Sequence, residues 1–378
     1  MTYAAIIGWG KCMPPAVLTN ADLATFLDTD DEWITSRTGM KERRISHVPA
    51  IEMSYVAARR ALACAGRTAS DIDLIVYGSC SYDEMVPNTA SALQYKLGCD
   101  GAAAMDVNTA CTSFLYGLST ATAMIRTGVV KRALVVGVEL ISRYMDWDNR
   151  SVAVLFGDGC AAVLLEATEE PIGLLGETLG CYGDARGILR VRGYGATYAN
   201  ANVTFGDMLW DFDGPQIFKR AVQGMTDASA KTLRKVGLRP EDIDLVVPHQ
   251  ANARIIESVA KHTGIPMNKV ILTVQKYGNM SAATVPVALV EALEAGRVAP
   301  GANLLMPAFG AGLTLCSHFV KWGTRTAPVD TCDIELPPCD KTALELVNAI
   351  RATKDPRGRS LAGIESAYYV DCKPYGTQ

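Results

Sequence analysis

The 378-residue sequence has no Cys-x-x-Cys pair, and its four histidines are scattered, so a structural zinc site is not expected. No apolar run is long enough to cross a bilayer. The first apolar stretch, Tyr3-Ala-Ala-Ile-Ile-Gly-Trp-Gly10, is short and lacks a basic flank, so it reads as a strand rather than a leader. An excess of positive charge is missing too. The net charge is −4 and only 20% of residues are charged, which argues against nucleic acid or an anionic membrane as the main partner. What remains is a chain that is 49% hydrophobic and ample for a large core. Eleven cysteines without a secretion signal are expected to be reduced thiols, which makes the cytoplasm the expected compartment.

The most informative stretch is Asp106-Val-Asn-Thr-Ala-Cys111-Thr-Ser-Phe-Leu-Tyr-Gly-Leu118. It reads as the end of a buried strand (101–107), a tight turn of small residues, and a helix over 112–126. A cysteine at such a turn meets unpartnered backbone N–H groups and the positive end of the helix dipole. Both favour a thiolate, which makes Cys111 a candidate nucleophile.

Before it, Asn20 has the chemistry of an N-cap for a helix over 21–27. A helix over 30–37 carries Trp33 and Arg37 one turn apart on one face. Lys41, Arg43 and Arg44 read as a solvated basic loop. A helix over 53–65 ends at Gly66, residues 71–78 form a strand, and 88–97 a helix closed by Gly98. A further buried strand covers 133–138.

The second half repeats this plan. Asp242-Ile-Asp-Leu-Val-Val-Pro248 answers Asp71-Ile-Asp-Leu-Ile-Val-Tyr77 at an offset of 171 (242 − 71). Gly264 answers Gly98 at 166 (264 − 98), and Gly296 answers Gly128 at 168 (296 − 128). Asn279, after a predicted strand over 269–273, is matched with Cys111 at 168 (279 − 111). The spacing predicts a duplicated α/β unit whose equivalent turns meet near a pseudo-two-fold axis. The halves are expected at 1–170 and 171–322, with an extension of unassigned role over 323–378 that holds a helix at 341–353. Residues 179–213, rich in glycine and aromatics, have no counterpart and are expected to be an insertion or lid.

His249 ends the second-half strand in Val247-Pro-His-Gln-Ala-Asn252, at the edge where open parallel sheets place ligands. Cys111, His249 and Asn279 converging from three loops form a nucleophile with two hydrogen-bonding groups. Phe309-Gly-Ala-Gly-Leu-Thr314 offers backbone N–H groups to an oxyanion.

Thr109-Ala-Cys111-Thr-Ser-Phe114, His249-Gln-Ala-Asn252, Gly278-Asn279-Met-Ser-Ala-Ala283 and Phe309-Gly-Ala-Gly312 together resemble the thiolase-fold condensing enzymes, and most of all the β-ketoacyl-acyl-carrier-protein synthase III family. The likeness runs from residue 3 to about residue 322 and includes Asp31–Gly39 and Phe156-Gly-Asp-Gly159. It implies a thiolase-like duplicated α/β fold of five αβαβα layers with two mixed, mostly parallel sheets. It also implies decarboxylative Claisen condensation of an acyl-cysteine with a malonyl thioester on acyl carrier protein.

Under that resemblance Cys111 takes the acyl group from acyl-CoA, while His249 and Asn279 stabilise the enolate. The N–H groups of Cys111 and Ala311 form the oxyanion hole. Trp33, Arg37 and Arg150 match coenzyme A contacts, Phe218 and Asn252 tunnel positions, and Lys219 and Arg254 the carrier-protein patch. Acyl-CoA is a substrate, no cofactor or metal is implied, and a homodimer is expected, with Met85 and Val86 reaching the partner's tunnel.

Four features depart from the family pattern. Thr112-Ser113 follows the nucleophile where a small residue and glycine are usual, Ala311 replaces a glycine, Pro215 replaces a polar residue, and the tail is additional. Fatty-acid and specialised polyketide-type pathways both remain open. So does an acyltransferase on the same fold, acting on a hydroxyl or amine. A non-catalytic partner subunit would be expected to lose the cysteine, and a dinucleotide reductase lacks its Gly-rich fingerprint here.

Overall fold

Nine strands, most of them runs of small and β-branched residues, pair into one sheet in a computed structural model that describes residues 1–196 and 208–353. From one edge the order is Leu245–Val246, Asn303–Gly310, Thr314–Lys321, Gly173–Cys181, Tyr3–Cys12, Asp158–Thr168, Arg132–Leu140, Leu74–Gly78 and Ala103–Val107. Side chains alternate between faces. Leu74, Val76, Val135 and Val163 face inward onto the Ser113–Arg126 and Thr284–Glu294 helices, as do Leu304, Met306 and Cys316 from the other part of the sheet. Ile75, Tyr77, Leu134 and Val136 face outward onto the Ala50–Ala65 and Thr89–Leu97 helices. The Gly214–Val236 and Ala253–Thr263 helices cover the opposite outer face. This is the expected αβαβα order of layers.

The two expected sheets meet as one. A single parallel pair, Ala4 with Gly173, joins their edges. Gly173 has φ +88°, and a Cβ there would lie 1.7 Å from the Ala4 carbonyl oxygen, so only glycine lets the strands close. Strand contacts divide evenly, four parallel and four antiparallel, a more even mixture than expected.

Equivalent landmarks keep a steadier offset than the sequence indicated. Gly66 and Gly237, each a left-handed helix cap, stand 171 apart (237 − 66). The strands starting at Arg132 and Asn303 repeat that offset (303 − 132). So do the 3-10 turns Ala110–Thr112 and Ser281–Ala283 (281 − 110), whose first residues are the described non-glycine residues with positive φ, at +52° and +45°. By that register Cys111 corresponds to Ala282. Its expected match, Asn279, lies three residues earlier on the approach to the turn.

Several boundaries differ from expectation. Thr19, not Asn20, caps the Asn20–Ala24 helix, in a capping box with Asp22. Asn20 is buried, donating to Asp31 and to the Met40 carbonyl. Residues 269–273 form no strand; a single bridge, Val246 with Val270, stands there instead. Arg43, expected in a solvated loop, is fully buried on the Glu42–Ile45 strand and donates to Asn20 Oδ1 (2.7 Å) and the Val154 carbonyl (2.5 Å). Of the expected insertion, residues 179–181 belong to the sheet. Leu189–Arg192 and Leu209–Phe212 then form a hairpin, and 197–207 lie outside the described residues.

The extension turns back over the first half. Ile334 and Leu336 pack on the core beneath the Ala50–Ala65 helix, and Arg60 donates to the Ile334 carbonyl. The Ala343–Ala352 helix buries Ala343, Val347 and Ile350 against Leu18, Trp147 and Val152. Arg351 stacks 4.4 Å from the Phe26 ring and pairs with Asp148 at 3.1 Å. Cys372 lies outside the described residues.

Candidate active site

Cys111 sits in the middle of a 3-10 turn between the Ala103–Val107 strand and the Ser113–Arg126 helix. The two departures beside it brace this turn. Ser113 Oγ accepts from Thr109 N (2.9 Å) and donates to the Ala110 carbonyl (2.6 Å), and Thr112 Oγ1 donates to Thr109 O and contacts Thr314 Oγ1. The loop after the Asn303–Gly310 strand presses close: a Cβ on Gly310 would lie 2.8 Å from Cys111 N.

The resting thiol is not lowered as its position predicts. Burial pushes it up to about 11, with a further rise from the charge of Glu139. Hydrogen bonds from the Ser281 hydroxyl and from the backbone N–H groups of Cys111 and Ala311 oppose that rise without overcoming it. The two backbone donors converge on one point, and Ala311 supplies its N–H without needing the glycine it replaces.

Cys111, His249 and Asn279 line one cavity of about 780 Å³. His249 is 2% exposed, and its backbone N–H bonds the Pro307 carbonyl at 2.9 Å. Burial lowers its imidazole to about 3, so the ring is neutral at physiological pH. Nδ1 lies 2.6 Å from Thr284 Oγ1, and that hydroxyl also reaches the Ser281 carbonyl at 2.9 Å. One hydroxyl proton serves one acceptor at a time. When Thr284 gives it to Nδ1, the other ring nitrogen carries hydrogen and faces the cavity as a donor.

Asn279 is oriented in the same way. Its Oδ1 accepts from Ser281 N at 2.8 Å, which leaves the amide NH₂ for the cavity. Its backbone is pinned to Leu155 O (2.9 Å) and Gly157 N (3.1 Å). The Phe156–Gly159 stretch therefore acts as a brace for Asn279. Asp158 within it accepts from Ser46 N and from Ser142 N and Oγ, and burial raises it to about 6.

The matching family models are 3-oxoacyl-[acyl-carrier-protein] synthase III over residues 105–183 and its C-terminal domain over 233–322. The β-ketoacyl-[acyl-carrier-protein] synthase III 2 of Vibrio cholerae is 50% identical over 92% of this chain and 96% of its own length. The chain belongs to the β-ketoacyl-acyl-carrier-protein synthase III family. It is therefore an acyl-transferring condensing enzyme of the thiolase fold. The Vibrio vulnificus synthase III 2 (strain YJ016) is 52% identical over 91% of the chain and 95% of its own. Both matches are too long to end at residue 322, so at least part of the extension has a counterpart there. The crystal structure of the Aquifex aeolicus synthase III has TM-score 0.79 and 38% identity, covering 84% of this chain and 100% of that one. The priming β-ketosynthase of the R1128 polyketide pathway has TM-score 0.81 and 31% identity, covering 85% and 97%.

The remaining residues read from the synthase III resemblance fall into two groups. Trp33, Arg37, Phe218, Asn252 and Arg254 line the Cys111 cavity. Arg150 joins them through Trp33, since Arg37 and Arg150 each place a guanidinium 4.6 Å from its ring. Asn252 caps the Ala253–Thr263 helix through Arg254 N and donates to the Arg37 carbonyl, so both ends of its amide are already engaged. Lys219 is exposed on the Gly214–Val236 helix and does not line the cavity; Arg254 stands 6.0 Å from the Phe218 ring. A second cavity of about 450 Å³ lies behind the turn, lined by Cys80, Thr109, Ile141 and Trp210 among others.

Sequence reasoning missed Glu139, Ser281 and Thr284. The one available signal was a carboxylate inside the apolar run Ala133–Leu140, a strand whose reading stopped at Val138.

Proposed function

We propose that this enzyme condenses an acyl group, received on Cys111 from acyl-CoA, with a malonyl thioester carried on acyl carrier protein. The observation that carries this reading is the pair of oriented donors. A neutral His249 and the NH₂ of Asn279 face the same cavity as the thiol, where an enolate oxygen needs them. The acyl carbonyl oxygen is held by the N–H groups of Cys111 and Ala311. Carbon dioxide leaves the malonyl group, the resulting carbanion attacks the acyl-cysteine, and the C–S bond breaks. No cofactor takes part.

Trp33 between two arginines offers an aromatic face and positive charge for the adenine and phosphates of coenzyme A. Lys219 and Arg254 meet the acidic carrier protein. Incubation with acyl-CoA and malonyl carrier protein is expected to release carbon dioxide and form a 3-oxoacyl carrier protein. Transfer of the acyl group to a hydroxyl or amine without carbon dioxide would reject the reading.

The enzyme acts in this proposal as a cytoplasmic homodimer. Met85 and Val86 are 66% and 80% exposed on one loop, an apolar pair costly to leave in water. Light scattering is expected to give twice the chain mass. A stable, active monomer would rule the dimer out.

A further inference from the structure

The Ala343–Ala352 helix comes after both matched family domains, the second of which ends at residue 322. Near its end stands Arg351, half-buried, with its guanidinium turned onto two loops far apart in the sequence. Its Cζ lies 4.4 Å from the centre of the Phe26 ring, in the loop after the Asn20–Ala24 helix. Its Nε and Nη2 donate to Asp148 Oδ1 at 3.3 and 3.1 Å, in the loop before the Arg150–Ala153 helix. Arginine suits both tasks at once, because a planar guanidinium can stack on a ring while its edge donates to a carboxylate.

The same two loops meet again two residues further on. Arg150 Nη1 donates to the Asp28 carbonyl at 2.6 Å and stands 3.6 Å from the Asp28 carboxylate. Asp28 follows Phe26 by two residues, and Arg150 follows Asp148 by two. A third contact, Phe26 edge-on to Trp147 at 6.5 Å between ring centres, lies beside these. Neither loop belongs to a strand, so side chains rather than a ladder of backbone bonds hold them together. The outcome matters for the cavity, since Arg150 is also the residue that stands 4.6 Å from the Trp33 ring.

We propose that Arg351 is a positioning residue for acyl-CoA: by tying Phe26 to Asp148 it keeps Arg150 on Asp28 and against Trp33. The inference rests on the coenzyme A role given above to Trp33, Arg37 and Arg150. Among the described residues, none of the extension lines the Cys111 cavity. Arg351 acts only through Arg150, and the extension thereby becomes part of the substrate-binding apparatus. An exposed ion pair of this kind adds little to folding stability, so its effect is local.

The test is the concentration dependence of Cys111 acylation in single turnovers, followed by intact-protein mass spectrometry. The probes are whichever of acetyl-, butyryl- and octanoyl-CoA reacts fastest with the wild type, and the matching acyl-pantetheine, which has the same thioester without the nucleotide. Arg351→Ala is expected to raise the half-saturating acyl-CoA concentration about fivefold, the size of one ion pair and one cation–π contact. The limiting rate should stay unchanged, and so should the second-order rate with acyl-pantetheine. Arg150→Ala should show the same selective loss, and adding Arg351→Ala to it should cost nothing more. Asp148→Ala breaks the tie from its other end, leaves the helix intact and carries the test alone if Arg351→Ala lacks a melting transition. It too should weaken acyl-CoA.

A merely electrostatic Arg351 predicts the opposite for that variant, since removing the Asp148 charge would strengthen the binding of a polyanion. Tighter acyl-CoA binding by Asp148→Ala, an unchanged half-saturation in Arg351→Ala, or an equal loss with acyl-pantetheine would each overturn the positioning role. If Arg150→Ala slows acyl-CoA and acyl-pantetheine alike, the coenzyme A reading itself is rejected. A selective loss in Arg150→Ala with none in Arg351→Ala rejects the positioning role alone.

Discussion

Asn279→Ala is expected to acylate Cys111 normally yet lose condensation by a factor of about 10²–10³, the usual cost of one preorganised donor to a developing oxyanion. The two half-reactions draw on different groups. Acylation uses the thiol and the backbone N–H groups of Cys111 and Ala311, none of which bonds the Asn279 side chain. Decarboxylation, as proposed, needs donors for the thioester oxygen of the malonyl group, and the bond from Ser281 N to Asn279 Oδ1 leaves the amide NH₂ for that task. Labelled carbon dioxide from malonyl carrier protein, measured beside the acylation burst, separates the two. Condensation near the wild-type rate would remove Asn279 from the mechanism. A loss of the burst as large as the loss of carbon dioxide would show that it organises the whole turn.

Acid is expected to destabilise the fold through His249. Its buried imidazole sits at about 3, against about 6.5 in an unfolded chain. With the folded value depressed, the contribution to stability is complete above about pH 6.5 and is lost as the pH falls toward 3. One linked proton changes stability by about 1.4 kcal/mol per pH unit, so roughly 3 kcal/mol is gone by about pH 4. Buried carboxylates such as Asp158, raised to about 6, act in the opposite direction, but His249→Asn shares them with the wild type. The difference between the two proteins in urea midpoint across about pH 4–7.5 therefore reports His249. The variant's curve should be flatter on the acid side, and parallel curves would reject the assignment.

What was legible in the sequence followed from local rules. The helix ends at Gly66, Gly98 and Gly264 were readable because a left-handed cap favours glycine. The Cys111 turn was readable because a short strand, small residues and an amphipathic helix follow one another. Arg43 was misread because three basic residues in four look solvated, whereas a strand sends alternate residues to opposite faces and Arg43 inward. The lowered thiol failed for a related reason: a helix terminus is a local feature, but burial by distant strands and Glu139, 28 residues away (139 − 111), decide its proton. The pairing of Asn279 with Cys111 failed because the three residues separating its offset from the structural one (171 − 168) cannot be placed without the positive-φ turns. Glu139 itself was hidden by its neighbours, since eight of nine residues of its strand are buried and seven of those eight are apolar or glycine.

The returning extension has a consequence for synthesis. The core beneath the Ala50–Ala65 helix is finished by Ile334 and Leu336, and the cluster around Trp147 by Val347 and Ile350. A nascent chain stalled anywhere before these residues carries a first half with bare apolar seats, even though every strand of that half has been made. The ribosome thus delivers the beginning of this enzyme late: its amino-terminal half cannot close over its own core before residues 334–350 have emerged, and a stop codon ahead of Ile334 leaves it unfinished.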